Sequence, residues 1–417
     1  MRILFITIKN EKEIYKNEGN FMLEQLVRKE TEKNKIQNYN KSKIRSSNIE
    51  VLRIVAMFMI IIYHIVCHTI IVQLTDLKSI ERMNNGWFCQ PIWDKRMLLL
   101  ELIMPFGIVS NAIFMLIAGY FGIEKNNDIK RIGKTGKKLI LQILFVTIFL
   151  VLFSDLFYYF NKSNYISMIR LNYFNDSSWF VGYYFLVILI SYLFLNKYLN
   201  KFSEQEYLAC LIILFSIISF SWVRNLIDGF ANGLSILCTG IFLYSLGGYI
   251  KKYRPFKNVN ILTFIGIIVI ANILLCISFH NATITNIENY MKSGNTGKYT
   301  YEIPVFANNN YIIITIAVCM FEIFKRLKIK NSKIINFVGA STFMIYLLHD
   351  NDFFYSLWGI TDWITLLHNN VFVFMATLLL QALCTFTLGL IIYAVYIVII
   401  KIAKKIRERK DEKIINI

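Results

Sequence analysis

Val51-Leu52-Arg53-Ile54-Val55-Ala56-Met57-Phe58-Met59-Ile60-Ile61-Ile62-Tyr63-His64 is the stretch on which the reading turns. Carried on to Gln73, it has the length of about 20 apolar residues that a helix needs to cross a bilayer. Comparable runs follow at 98–122, 138–160, 179–196, 206–223, 231–250, 260–279, 305–323, 334–349 and 371–400. The run at 206–223 is short, and 371–400 is long enough to tilt or to extend past the interface. The expected fold is therefore all-α: a polytopic integral membrane helical bundle of about ten transmembrane helices.

Composition agrees. Hydrophobic residues make up 56% of the 417 and charged residues 17%, against about 25% charged in a soluble domain. With 4 prolines and no Pro/Gly/Ser-rich linker, nothing divides the chain. We read a weakly ordered cytoplasmic tail over 1–48, one membrane domain over 49–400 and a basic cytoplasmic tail over 401–417. The opening Met1–Ile8 is apolar but too short to span, and no cleavage site follows it. Met22, preceded by Glu18-Gly19, is an alternative translation start. The seven cysteines form no CxxC pair, so neither a disulfide framework nor a zinc cluster is expected of them.

The net charge of +18 is distributed as in a membrane protein, which excludes a nucleic-acid partner. Lysines and arginines gather in the N-terminal tail, at 125–138, 251–257 and 325–333, and in the C-terminal tail. With ten spans these all fall on one side, whereas the loop after span nine carries Asp350, Asp352 and Asp362. By the positive-inside rule both termini are cytoplasmic.

Arg53 and His64 are ionisable residues in an otherwise apolar span. Eleven residues is close to three helical turns, so they share a face about 16 Å apart along the axis. Arg53, near the cytoplasmic entry, suits a phosphate-bearing donor, since guanidinium pairs with phosphate in a fork; alone it reads equally as a snorkelling anchor. His64, near mid-membrane, suits a general base. Intramembrane ionisable groups are costly and usually functional. His68 lies one turn beyond His64, a spacing that can hold zinc. No Glu sits beside His64 as a metalloprotease motif requires, and the neighbouring sequence offers no third ligand, so no metal is expected. Glu101 and Asp155 fall near outer span ends and read as solvated, snorkelling groups.

Three further stretches join this pair. Asn111-Ala112-Ile113-Phe114-Met115-Leu116-Ile117-Ala118-Gly119-Tyr120-Phe121, Ser178-Trp179-Phe180-Val181-Gly182-Tyr183-Tyr184 and Ser341-Thr342-Phe343-Met344-Ile345-Tyr346-Leu347-Leu348-His349 stand in order along the chain. With Arg53 and His64 they resemble the bacterial acyltransferase family 3 membrane proteins, the O-acetylases of surface polysaccharides, from about residue 48 to about 400. Ala118 departs from the serine common in that family's phenylalanine-rich segment.

The resemblance implies a multi-pass protein of the bacterial plasma (inner) membrane, with a ten-helix core. It implies a cytosolic acyl-CoA donor, typically acetyl-CoA, and a hydroxyl acceptor on a surface glycan or lipid-linked sugar. His64 and Arg53 are the expected catalytic residues, His64 either as general base or as a transiently acylated relay. Arg53, Lys125, Lys130 and Arg131 are the expected donor-phosphate contacts; His349, Asp350, Trp179 and Tyr183 are the expected acceptor contacts. Many relatives carry an extracytoplasmic hydrolase-like domain, which this chain lacks, so a separate extracytoplasmic transferase is an expected partner. The rival reading is a secondary transporter or glycan/lipid exporter. Against it, the halves show no repeat and no matched Gly/Pro interruptions.

Overall fold

The computed structural model describes residues 46–74, 81, 92–125, 129–161, 167–176, 179–293 and 307–415, without side chains for some of them. Every regular element among the described residues is helical. The apolar runs fold as helices, because a helix in hydrocarbon satisfies all its own backbone groups.

The first helix, α1 (Ser47–Ile65), continues through a π turn at Val66–Ile70 to Leu74. Then come α2 (Ile92–Ile103), α3 (Pro105–Gly122), α4 (Ile129–Asn161) and α5 (Trp179–Ile190), the last also extended by a π turn, Ser191–Leu195. A bent pair follows, α6 (Glu204–Ser219) and α7 (Ser221–Phe230), then α8 (Leu234–Tyr253), α9 (Ile261–Ser293) and α10 (Tyr311–Arg326). The chain closes with α11 (Lys333–His349), two short helices, α12 (Asp352–Gly359) and α13 (Trp363–Asn369), and the long α14 (Val371–Ile415).

Among the described residues seven helices are long and apolar enough to cross a membrane, and the count is eight if the pair α6–α7, bent by 76°, is one span. Two of the expected ten fall short for a plain reason. At 16 and 17 residues, α10 and α11 are about 24–26 Å long, below the hydrocarbon thickness of about 30 Å. The basic 401–417 segment is, through Ile415, the helical continuation of α14.

Helix α3 packs on α8 more extensively than any other described pair. Glycines allow it. A Cβ on Gly119 would lie 1.8 Å from the Tyr244 carbonyl oxygen, and one on Gly247 would lie 2.2 Å from that of Leu116. Without a hydrophobic drive between helices in lipid, such close backbone approach is what holds them. Gly119 belongs to the phenylalanine-rich segment noted in the sequence, so that segment is a packing motif. Around this pair, α10 lies on α3, α9 on α10 and α2, and α14 on α11.

Near the start of α1 a buried carboxylate is locked in place. Glu322 is fully buried and accepts from Arg326 Nε at 3.2 Å, Arg326 Nη2 at 3.0 Å and Lys325 Nζ. The Arg326 guanidinium also donates to the carbonyls of Phe256 and Val259. Asn48 Nδ2 donates to the Lys325 carbonyl at 2.9 Å. Arg326, counted in the sequence with Lys325 as topology-setting charge, thus also staples α10 to the α8–α9 connection, while Lys325 neutralises Glu322 within α10. Glu101 corrects an expectation: it is 3% exposed, not solvated, and faces His280 Nδ1 at 3.8 Å. Asp155 is exposed, as expected.

Candidate active site

The far end of α1 meets the C-terminal end of α11. His64 Nδ1 points at Asp350 Oδ1, 3.7 Å away, and each side chain is 12% exposed. The His64 ring also lies 5.1 Å from that of His349 and 5.3 Å from that of His68. Two histidines from α1 and the His349-Asp350 pair that ends α11 therefore converge, though almost 300 residues separate them.

The surroundings hold this group in place. Asp350 accepts from the Tyr355 hydroxyl through Oδ1, and its backbone carbonyl accepts from the Tyr173 hydroxyl at 3.2 Å. Tyr355 sits on α12, which packs against the π turn of α1, and its ring stacks on His68 at 4.0 Å with 10° between the planes. The π turn begins two residues after His64, a place where such turns often mark function; the Thr69 hydroxyl takes up the Ile65 carbonyl there. Asn351 caps α12 by accepting from Phe354 N at 3.2 Å, and its amide donates to Leu348 O. The break between α11 and α12 is thus tied on both sides.

Two buried atoms in the group are left without a hydrogen-bond partner: His64 Nδ1 and His349 Nε2. His349 is fully buried, with Nδ1 on the Ile345 carbonyl at 2.6 Å. That contact puts the proton on Nδ1 and leaves Nε2 with a lone pair. Unsatisfied buried polar atoms are rare, and each calls for a cause.

Beside Asp350 a cavity of about 380 Å³ opens, lined by Arg170, Asn172, Tyr173, Asn351, Asp352 and Tyr355 among others. Its wall is largely polar, unlike the lipid-facing surface, and Asp350 links it to His64.

The sequence-derived candidates separate into groups. His64, His349 and Asp350 come together. Arg53 stays three turns away on the regular part of α1, where Glu50 Oε1 lies 3.5 Å from its Nη1. Lys125 Nζ donates to the Tyr192 hydroxyl at 3.3 Å. The side chains of Lys130 and Arg131 lie outside the described residues. Trp179 is 53% exposed and stacks near Tyr183, whose ring fills the space beside Gly240. Neither residue lines the polar cavity. From the same segment, Phe180 is the one that reaches inward, to Tyr346, itself 6.4 Å from the His64 ring. Tyr173, Tyr355 and Arg170 were missed in the sequence, because nothing local distinguishes them from interfacial aromatics and loop charge.

A family model for the acyltransferase domain of acyltransferase family 3 matches residues 46–400. The chain belongs to that family. No curated protein and no solved structure matches it. The protein is accordingly an acyltransferase, and its apolar helices make it a multi-pass membrane acyltransferase. The match begins just before α1 and ends within α14, so it takes in both halves of the His64–Asp350 cluster.

For an acyltransferase this arrangement has a direct chemical use. A histidine with a carboxylate facing one ring nitrogen presents the other nitrogen as a base, the orienting logic of base and third group in acyl transfer. The separation of 3.7 Å is long for a hydrogen bond, and such contacts tighten when substrate is bound.

Proposed function

We propose that this acyltransferase moves an acyl group, acetyl in the simplest case, from cytosolic acyl-CoA to a hydroxyl of a surface or lipid-linked glycan. The observation that carries the proposal is His64 facing Asp350 at the side of a polar cavity. The cavity's tyrosines, asparagines, aspartates and arginine suit the many hydroxyls of a sugar, and an apolar acceptor would leave them unpaired.

In the proposed step Asp350 accepts a hydrogen bond from His64 Nδ1–H, so Nε2 is the free base. Nε2 takes the proton of the acceptor hydroxyl as its oxygen attacks the thioester carbonyl. The carbon–sulfur bond breaks, and the CoA thiolate leaves and recovers the proton from the imidazolium. Arg53, on the same face of α1 and three turns nearer the basic loops, pairs with donor phosphate.

The proposed topology has ten spans and two cytoplasmic termini in the bacterial plasma membrane. The apolar runs overlap described helices, two of them across a break (α2–α3 and α6–α7), and α10 and α11 are the two that stop short. The short α11 supports the site: ending a span early places a polar break at membrane depth, tolerated because it lines a cavity.

The test is release of free thiol from acetyl-CoA by membranes holding the protein, with the label then traced by fractionation. Thiol release together with label in a sugar-containing fraction is the expected result. No release above background refutes acetyl-CoA as the donor, and label confined to lipid or protein refutes the glycan acceptor.

A further inference from the structure

The proposed transfer uses His64 and Asp350 and leaves His68 without a task. His68 is held as firmly as they are, by its stack on Tyr355. One ligand atom from each of His64, His68 and Asp350 lies within 4.8 Å of the others. Tetrahedral zinc, with ligand bonds of about 2.0–2.2 Å, sets its donors about 3.3–3.5 Å apart. His64 Nδ1 and Asp350 Oδ1 are close to that, at 3.7 Å. Two imidazoles and one carboxylate, with two histidines four residues apart on a helix, match the donor set of a zinc site with an open position. The third donor that the neighbouring sequence lacks comes from Asp350, 282 residues beyond His68.

The second shell fits as well. Ligand carboxylates are themselves hydrogen-bonded, as Asp350 is by Tyr355. His349 brings a third nitrogen to the edge of the group: its Nε2 is buried and unpartnered, and its Nδ1 is fixed on the Ile345 carbonyl.

We infer that His64, His68 and Asp350 form a binding site for one zinc-class divalent ion, and that this ion and the acyl-transfer step compete for His64. The competition rests on the proposed function; the ion site does not. Metal on Nδ1 fixes the remaining ring proton on Nε2. His64 then has no lone pair with which to accept the proton of the incoming hydroxyl, and the ion acts as an inhibitor.

The experiment uses the full chain purified in detergent, with zinc alone as the probe. Bound zinc is counted by elemental analysis after gel filtration, and transfer is measured in parallel. Wild type is expected to hold one zinc per chain; His68→Ala and the closer-sized His68→Gln hold none. At a zinc concentration that lowers wild-type transfer tenfold, both variants keep transfer within twofold of their zinc-free rate. Absence of stoichiometric zinc in wild type, or equal binding by both His68 variants, overturns the site. Zinc that accelerates transfer, or transfer lost on chelation, overturns the competition. Stoichiometric zinc lost in the His68 variants, with no transfer by wild type into any fraction, upholds the site and refutes the acyl-transfer reading instead.

Discussion

The two polar regions nearest the ends of α1 are built on opposite principles. Beside its start, Glu322 is fully buried and its carboxylate is answered by Lys325 and by Arg326, the latter bound in turn to backbone carbonyls of the α8–α9 connection, although Arg53 Nε, early in α1, is buried without a partner. Beside its end, His64 Nδ1 and His349 Nε2 are buried and unanswered, inside a frame of tyrosine and asparagine hydrogen bonds that is itself complete. A satisfied buried network rigidifies, and a partly satisfied one stands ready for something else. The difference separates a structural use of buried charge from a chemical one at the two ends of a single helix.

That contrast can be broken by substitution. The largest effect is expected at His64. His64→Ala removes the base and should lower kcat by about 10⁴-fold, the upper range for general acid–base catalysis, with the melting temperature in detergent little changed. Next is Glu322→Ala, the mirror case. Removing one partner of a buried ion pair costs about 3–5 kcal/mol, read as a lower melting temperature, while kcat per folded molecule stays within twofold. Asp350→Asn should lower kcat by about 10²-fold, the lower range for general acid–base catalysis, since it removes the group that orients His64; Asp350→Glu should recover part of the loss, an outcome that a mere packing role would not give. Smallest is Tyr355→Phe, which loses one hydrogen bond to a charged acceptor, about 1.5–3 kcal/mol, and should lower kcat roughly tenfold with KM nearly constant. If Glu322→Ala abolished chemistry while leaving stability intact, the division between the two regions would collapse.

Much of this was legible in the sequence, because hydrophobic length is a property of the chain itself. The apolar runs found their helices, and the regular spacing of Arg53 and His64 held, since α1 is undistorted between them. The site was half legible. His64, His349 and Asp350 each stood out singly, but the meeting of α1 with α11 is a tertiary fact that no local pattern encodes. Tyr355 and Tyr173 looked like any interfacial aromatics until Asp350 was seen to bond both. Trp179 and Tyr183, expected as acceptor contacts, stand apart from the polar cavity, and Tyr183 fills the space that Gly240 leaves. Lys325 and Arg326 obeyed the positive-inside pattern and carried a structural duty as well, invisible without the buried Glu322. The span count was less legible, because 16 or 17 residues sit at the edge of what crosses a bilayer, and α11 stops where the polar cavity begins.

The most direct test of the central claim is transfer of label from radiolabelled acetyl-CoA into glycan, by wild type and His64→Ala at equal amounts of folded protein in the same membranes. The account predicts clear incorporation by wild type and incorporation near background for His64→Ala. Equal incorporation by the two would contradict it, and would remove the cluster at the end of α1 from the chemistry.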